Sequence, residues 1–471
     1  MRLKTWLAAA IAILLVSPLA VAPARAQFDS PPPAQKPKPK PQKPKPAATA
    51  PAAPKEAAPA TSPVTPAAVQ APAAAAAATK PSTRGMPPPP APANCKTAGT
   101  FEGWMTGFRR EAAAEGISAR AIAAGLDGIT FDPSIISRDR KQGFFAQSFT
   151  DFSAKLATAN RVQNGRAQIK KNADSFARVE KQYGLPASVI TGFWALESDF
   201  GSVGIGKFQI IRSLATLAYD CRRGPMFRDE LKAALQIVER GDMVPAEMIG
   251  SWAGEIGQTQ FLPTRYLDHA IDYDGDGRIN LYENPADIIG TTANYMTHLG
   301  WRRGEPWIEE VRVPSELPWE EADLTIKHPR SKWAALGVTR ADGKALEKDN
   351  LPASLLLPMG RLGPAFLAYQ NFNVYLQWNQ SLNYATTAAY LATRIDGAPV
   401  MNRGAEGVPM LGQEDAKELQ RQLVKRGFDV GQIDGKLGLK SRQAVKAMQK
   451  KYKLPADSYP TPELLAILRG G

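Results

Sequence analysis

Cysteine is scarce in this chain: 471 residues contain two, Cys95 and Cys221, and neither sits in C-x-x-C spacing. That argues against a thiolate-held zinc or a dithiol redox centre. Long apolar runs are missing as well. Leu7–Val16 is too short to span a bilayer comfortably, where about 20 residues are needed, and no later segment is longer and as apolar. Alternating strand patterns are rare, with Ile308–Val313 the exception, and no internal repeat is visible, so a mainly β or repeat architecture is not expected.

The start of the chain reads as an export signal over residues 1–26. Arg2 and Lys4 supply the charged region, Leu7–Val16 the apolar one, and Ala24-Arg25-Ala26 a cleavage site. No cysteine stands directly after the cut, which argues against a lipid anchor, so the expected product is periplasmic and soluble. In that compartment Cys95 and Cys221 are expected to pair. Export also sets nucleic acid aside as the partner of the +13 formal charge. An anionic cell wall or membrane surface suits it better. Residues 27–93 are almost wholly Pro, Ala, Lys, Ser and Thr, with alternating Lys and Pro from Lys36 to Pro46. Such a stretch favours extended polyproline II and has too little apolar surface to fold, so it reads as a cationic tether.

Helical periodicity dominates from Cys95 onward. Phe101, Trp104, Met105 and Phe108 share one stripe; Ile169, Phe176, Val179 and Tyr183 share another, ending at Gly184. The organisation expected is a mainly α catalytic domain over 94–403, a Gly-rich joint over 404–409, and a small C-terminal unit over 410–471.

Three segments carry chemistry. In the first, Pro186 opens a predicted helix and Gly201 ends it, with Ile190, Phe193, Trp194 and Glu197 on one face. A carboxylate at the end of an apolar stripe is desolvated, which favours its protonated form and suits a general acid. The competing reading is a structural Glu paired with an arginine. No second catalytic carboxylate is evident, since Asp199 points elsewhere around the helix. In the second segment, Ser251–Pro263, small residues allow close approach of a ligand, and Ser251 and Gln260 offer hydrogen bonds to sugar hydroxyls or acetamides. The third, Asp272–Glu283, matches an EF-hand loop. Asp272, Asp274 and Asp276 stand at its first three ligand positions, Gly277 at the turn, Arg278 as a carbonyl donor and Glu283 at the closing position. A structural Ca2+ is expected there, and an unmetallated Asp-Gly turn is the alternative.

In this order and spacing the segments resemble the lytic murein transglycosylase B family. Its motifs correspond to Glu197-Ser198-Asp199-Phe200-Gly201, Ser251–Phe261, Tyr219–Arg223 and Trp378–Ala385. The resemblance implies a lysozyme-like helical domain with an EF-hand-like loop and no catalytic cofactor. It also implies that Glu197 protonates the MurNAc-GlcNAc β-1,4 linkage and then acts as base while the muramoyl C6 hydroxyl attacks C1, leaving a 1,6-anhydromuramoyl end. By position, Arg222, Arg223, Ser251, Gln260 and Asn379 would hold glycan, with Trp378 and Tyr384 as an aromatic wall. The family often closes its calcium site from a longer loop, here Asp287 in place of Glu283. Leu419–Gln449 is similar to the three-helix peptidoglycan-binding domain, with Ser441 as a helix cap where that domain has Thr. Expected partners are peptidoglycan strands and the cell-wall or division machinery, with the protein a monomer. A goose-type lysozyme-like muramidase and a non-catalytic wall-binding scaffold remain as alternatives. A calcium sensor is disfavoured by the single loop.

Overall fold

Short polar caps start many of the helices in the computed structural model, which describes residues 95–140 and 147–470. The signal and tether expected at 1–26 and 27–93 lie outside those residues. Helices α1 (Phe101–Ala114) and α2 (Ala119–Leu126) begin on Thr100 and Ser118, whose hydroxyls accept first-turn amides. After α3 (Pro133–Arg140), the same device opens α4 (Phe149–Leu156) and α5 (Ala159–Lys171). Helix α6 (Ala173–Tyr183) stops at Gly184, which takes the left-handed conformation. The stripe expected from Ile169 to Tyr183 is thus divided, with Ile169 on α5 and the rest on α6. Helix α7 (Ala187–Ser198) follows Pro186 as expected but ends before Gly201. Asp199 caps it at φ 50°. The Asp199 carboxylate accepts from buried Arg161 Nε at 3.4 Å, which holds this non-glycine residue in place.

Two helical cores follow. The two-residue strands β1 (Phe208–Gln209) and β2 (Ile249–Gly250) pair antiparallel. Between and after them come α8 (Ile210–Tyr219), α9 (Gly224–Arg240) and α10 (Pro263–His269). These helices pack with α1–α3 around Phe108, Leu126, Ile211, Leu214 and Phe227. The second core gathers α4–α7 and α11 (Pro285–His298) around Phe193, Leu196, Ile288 and Met296.

A sheet that the sequence reading did not anticipate covers one side of this second core. Strands β3 (Ile308–Arg312), β4 (His328–Pro329), β5 (Thr339–Arg340), β6 (Pro352–Leu356) and β7 (Ala365–Ala368) run antiparallel in the order β4-β6-β7-β3-β5. Only β3 was expected. The others escaped notice because two are very short and β6 and β7 are apolar on both faces. In β7, Phe366 and Ala368 enter the helical core, while Ala365 and Leu367 enter a third cluster with Trp333 of α12 (Arg330–Ala335). A strand buried on both sides shows no alternation in sequence. Helices α13 (Phe372–Trp378) and α14 (Leu382–Ile395) return to the second core.

The C-terminal unit is three helices, α15 (Gln413–Lys425), α16 (Leu439–Lys451) and α17 (Pro462–Gly470), around Leu419, Leu423, Val445, Leu464 and Leu468. Ser441 is not the cap of α16. Gly438 takes that position, and Ser441 is buried in the first turn, its Oγ donating to the Val430 carbonyl at 3.2 Å. The unit packs on the sheet side of the larger domain. Lys446 pairs with Asp323 at 2.9 Å with both side chains largely buried, and Arg442 donates to the Leu357 carbonyl at 3.1 Å. No helix among the described residues is long and apolar enough to cross a membrane.

Candidate active site

Helix α7 is buried all round, every residue from Ser188 to Ser198 included, so it is a core rod with one ionisable group near its end. That group, Glu197, is 7% exposed. Among the described residues no arginine pairs with it, so the structural ion-pair reading does not describe it. Its Oε1 accepts from Trp378 Nε1 at 3.0 Å and from the Tyr384 hydroxyl. Phe193, one turn earlier, lies against Trp378 with ring centroids 4.3 Å apart, and Phe261 and Tyr295 complete the aromatic surround at 5.6 and 5.4 Å. Burial pushes the Glu197 carboxyl up to about 8. The Tyr384 bond opposes that rise, the charge of Glu255 adds to it, and the Trp378 bond opposes it further. At neutral pH the group is mostly a neutral acid.

The Ser251–Pro263 segment meets this helix from the other core. Gly250 must be glycine, because a Cβ there would lie 2.0 Å from the Glu255 carbonyl. The tight turn brings Ser251 Oγ to 2.7 Å from Glu255 Oε2. Glu255 is a second buried carboxylate, pushed up to about 7 by burial against the counteracting Ser251 bond and Arg223 charge. Glu255 sits in the S-W-A-G-E run of the sequence, where nothing local signals that this Glu turns inward. Gln258 was also missed. Its Oε1 accepts from Trp194 Nε1 at 2.6 Å and its Nε2 donates to the Tyr282 carbonyl at 2.6 Å, tying α7 to the end of the acidic loop.

The remaining expected residues divide. Arg222 places Nη1 2.8 and 2.7 Å from the two oxygens of buried Asp139, and Arg223 bonds the same carboxylate. Both guanidiniums are therefore already engaged. Gln260, at φ 53°, donates to the Gly257 carbonyl at 2.8 Å, while its Oε1 is buried with no partner among the described residues. Asn379 is half-buried where α13 ends, and its side chain accepts from the Ser381 amide at 2.9 Å. Cys95 and Cys221 are joined in a disulfide, and Arg140 reaches from Asp220 toward both sulfurs.

The acidic loop stands apart from this pocket. Oxygens of Asp272, Asp274 and Asp276 lie within 4.8 Å of one another. Asp272 also accepts from the amides of Gly275, Asp276 and Gly277, and Gly277 makes the turn at φ 90°. Converging hard oxygen donors fit a calcium ion. Glu283 is exposed. Asp287 is fully buried, accepting from the Tyr273 amide at 2.7 Å and the Asn280 amide at 2.8 Å.

A neutral carboxylic acid on a buried helix, walled by aromatic rings and faced by a polar turn, is a group that can give and retake a proton. A family model for the transglycosylase SLT domain matches residues 100–393, and one for a peptidoglycan binding domain matches residues 412–468. The chain belongs to the transglycosylase SLT family. It is 32% identical over 235 residues to membrane-bound lytic murein transglycosylase B of Escherichia coli, a match spanning 50% of this chain and 63% of that relative. A crystal structure of SltB3 from Pseudomonas aeruginosa in complex with NAG-anhNAM-pentapeptide superposes with a TM-score of 0.74 at 39% identity, covering 79% of this chain and all of that one (100%). The Escherichia coli lytic transglycosylase Slt35 in complex with calcium gives a TM-score of 0.54 at 28% identity, covering 62% of this chain and 92% of that one.

Proposed function

We propose that this protein is a lytic transglycosylase that cuts the MurNAc-GlcNAc bond of peptidoglycan with Glu197 as both acid and base. The observation that carries the reading is the neutral, buried Glu197 carboxyl with two donors on Oε1. With Oε1 so occupied, the proton sits on Oε2 and passes to the glycosidic oxygen. Tyr384 and Trp378 then stabilise the carboxylate that forms. That carboxylate takes the proton from the muramoyl C6 hydroxyl as it attacks C1, closing the 1,6-anhydro ring. The nucleophile belongs to the substrate, so effective molarity replaces an activated water. The relative bound to NAG-anhNAM-pentapeptide supports the anhydro product.

One observation favours a second reading. Buried Glu255 would be the base for water in a hydrolase of the goose-type muramidase kind. Mass spectrometry of digested sacculi separates the two. Anhydro ends, absent with Glu197→Gln, are the expected result; reducing ends would favour hydrolysis, and no cleavage would favour a scaffold.

The same proposal places Arg222, Arg223, Ser251, Gln260 and Asn379 along the glycan and α15–α17 on the sacculus. It locates the protein in the periplasm, on its substrate and its signal-like N-terminal stretch. It acts there as a monomer recruited by wall or division machinery. Calcium braces the fold through Asp272, Asp274, Asp276 and the Arg278 carbonyl, with Glu283 or Asp287 closing the site. The relative crystallised with calcium supports this. Calcium takes no part in bond cleavage.

A further inference from the structure

Ser251 stands among the residues proposed to hold glycan, yet its hydroxyl is fully used within the protein. Oγ donates to Glu255 Oε2 at 2.7 Å and accepts from the amides of Ala253 and Glu255, each at 3.2 Å. One proton and two lone pairs exhaust a hydroxyl. Whatever Ser251 does therefore depends on the carboxylate that receives its hydrogen. That carboxylate is buried on a turn belonging to the first core, while Glu197 stands on a helix of the second.

We propose that Glu255 is a positioning residue of this site, an anion that fixes the Ser251 hydroxyl and sets its charge against Glu197. The inference rests on the assignment of Glu197 as the acid. A buried anion needs compensation, and the charged neighbour that supplies it is Arg223, at the N-terminus of α9. Arg223 is itself fixed by Asp139 below and by the Phe227 ring, 4.8 Å from its guanidinium carbon. Asp139 also takes Arg222 and lies 3.6 Å from Arg140. This chain of contacts gives the disulfide-linked Tyr219–Arg223 segment a purpose besides touching substrate: it holds a cation where Glu255 can stay ionised.

The groups facing the pair are Ser251 and Arg223 on the Glu255 side, with Tyr384 and Trp378 on the Glu197 side. Burial lifts both carboxyls, Glu197 to about 8 and Glu255 to about 7, and the charge of Glu255 adds to the rise at Glu197, so the two titrate as a coupled pair. When the pair holds a single proton, the Ser251 bond and the Arg223 charge favour Glu255 as the anion and leave Glu197 as the acid able to protonate a leaving group. The anion strengthens the hold of Glu197 on its proton until substrate arrives. It also favours positive charge developing at the sugar C1.

The test is the pH profile of kcat/KM on soluble glycan strands, which reports the free enzyme. In Glu255→Gln the alkaline limb should move to lower pH by roughly half a unit to one unit, because a like charge beside Glu197 is gone. Its loss in kcat should exceed any rise in KM. Glu255→Asp, which keeps the charge, should keep the limb near that of the unmodified protein. Should Glu255→Gln fail to fold, Ser251→Ala gives the same sign, since losing the Ser251 donor leaves Glu255 less ionised. An unmoved limb in a folded variant, whatever its rate, would reduce Glu255 to a structural residue and overturn the proposal. Activity surviving in Glu197→Gln would instead remove the acid assignment beneath it.

Discussion

Carboxylates are used in opposite ways at two places in this chain. Glu197 is sealed in aromatic packing and, among the described residues, hydrogen bonded only through Oε1, and burial keeps it protonated. Asp274, on the acidic loop, is in open solvent, and its bond from Asn284 leads the causes that hold it below the usual range. Both environments follow from position. One residue stands next to the end of a helix that is core on every side; the other lies on an exposed Gly-rich turn. The difference teaches that the proton affinity of an acidic side chain is set by what surrounds it, and that each environment dictates a chemistry. The first can give and retake a proton; the second can only attract a cation.

The largest test of that contrast is Glu197→Gln. The amide fills the same space without exchanging a proton, so cleavage should fall by about 10²–10⁴ or more, while sacculus binding and folding persist. The variant should also change how stability responds to pH. A carboxyl held up to about 8 in the fold, against 4.5 when exposed, stabilises the protein fully below 4.5 and loses that contribution as pH rises through 8. The slope approaches about 1.4 kcal/mol per pH unit for one proton. Melting curves of Glu197→Gln should be flatter over this window. Equal slopes would mean that Glu197 is an ordinary carboxyl.

Tyr384→Phe comes next. It removes a donor that favours the ionised form, so the alkaline limb should move to higher pH, opposite in sign to Glu255→Gln. The rate should fall roughly tenfold to a hundredfold, the worth of a hydrogen bond to a charged group. A limb moving down would contradict the geometry at Oε1.

The acidic loop gives smaller effects. Calcium at a hundredfold excess over its Kd should stabilise the fold by about 2.7 kcal/mol. Melts in chelator and in millimolar calcium should then differ by several degrees, and Asp274→Ala should erase the difference. Magnesium should substitute poorly. Identical melts would leave the loop a bare turn. Smallest and sharpest is the comparison of Glu283→Ala with Asp287→Ala. Asp287 accepts two backbone amides in a buried position, so its loss should lower stability even in chelator. Loss of the exposed Glu283 should matter only when calcium is present. A chelator-independent effect of Glu283→Ala would reverse these roles.

Features legible in the sequence were those written in local spacing. The Glu197 helix face, the Asp272–Glu283 loop and the helical C-terminal unit each come from residues close along the chain. The structure adds what distant segments do to one another. Trp378 and Tyr384 reach Glu197 across 181 and 187 residues, and their motif marked them as a wall without saying which atom they touch. Glu255 stands in a run whose spacing gives no sign of its inward turn. Strands β6 and β7 hid their alternation because both faces are buried. Even the expected helix end at Gly201 was displaced, because the Arg161 bond keeps Asp199 in a conformation that glycine usually takes.

The central claim, a neutral Glu197 poised as acid, can be read on one signal. In protein carrying carbon-13 at glutamate carboxyls, the resonance lost in Glu197→Gln identifies the group, and its chemical shift can be followed from pH 4 to 10. The account expects a midpoint of about 8, moved down in Glu255→Gln and up in Tyr384→Phe. A midpoint near the ordinary 4.5, unaffected by either substitution, would contradict it.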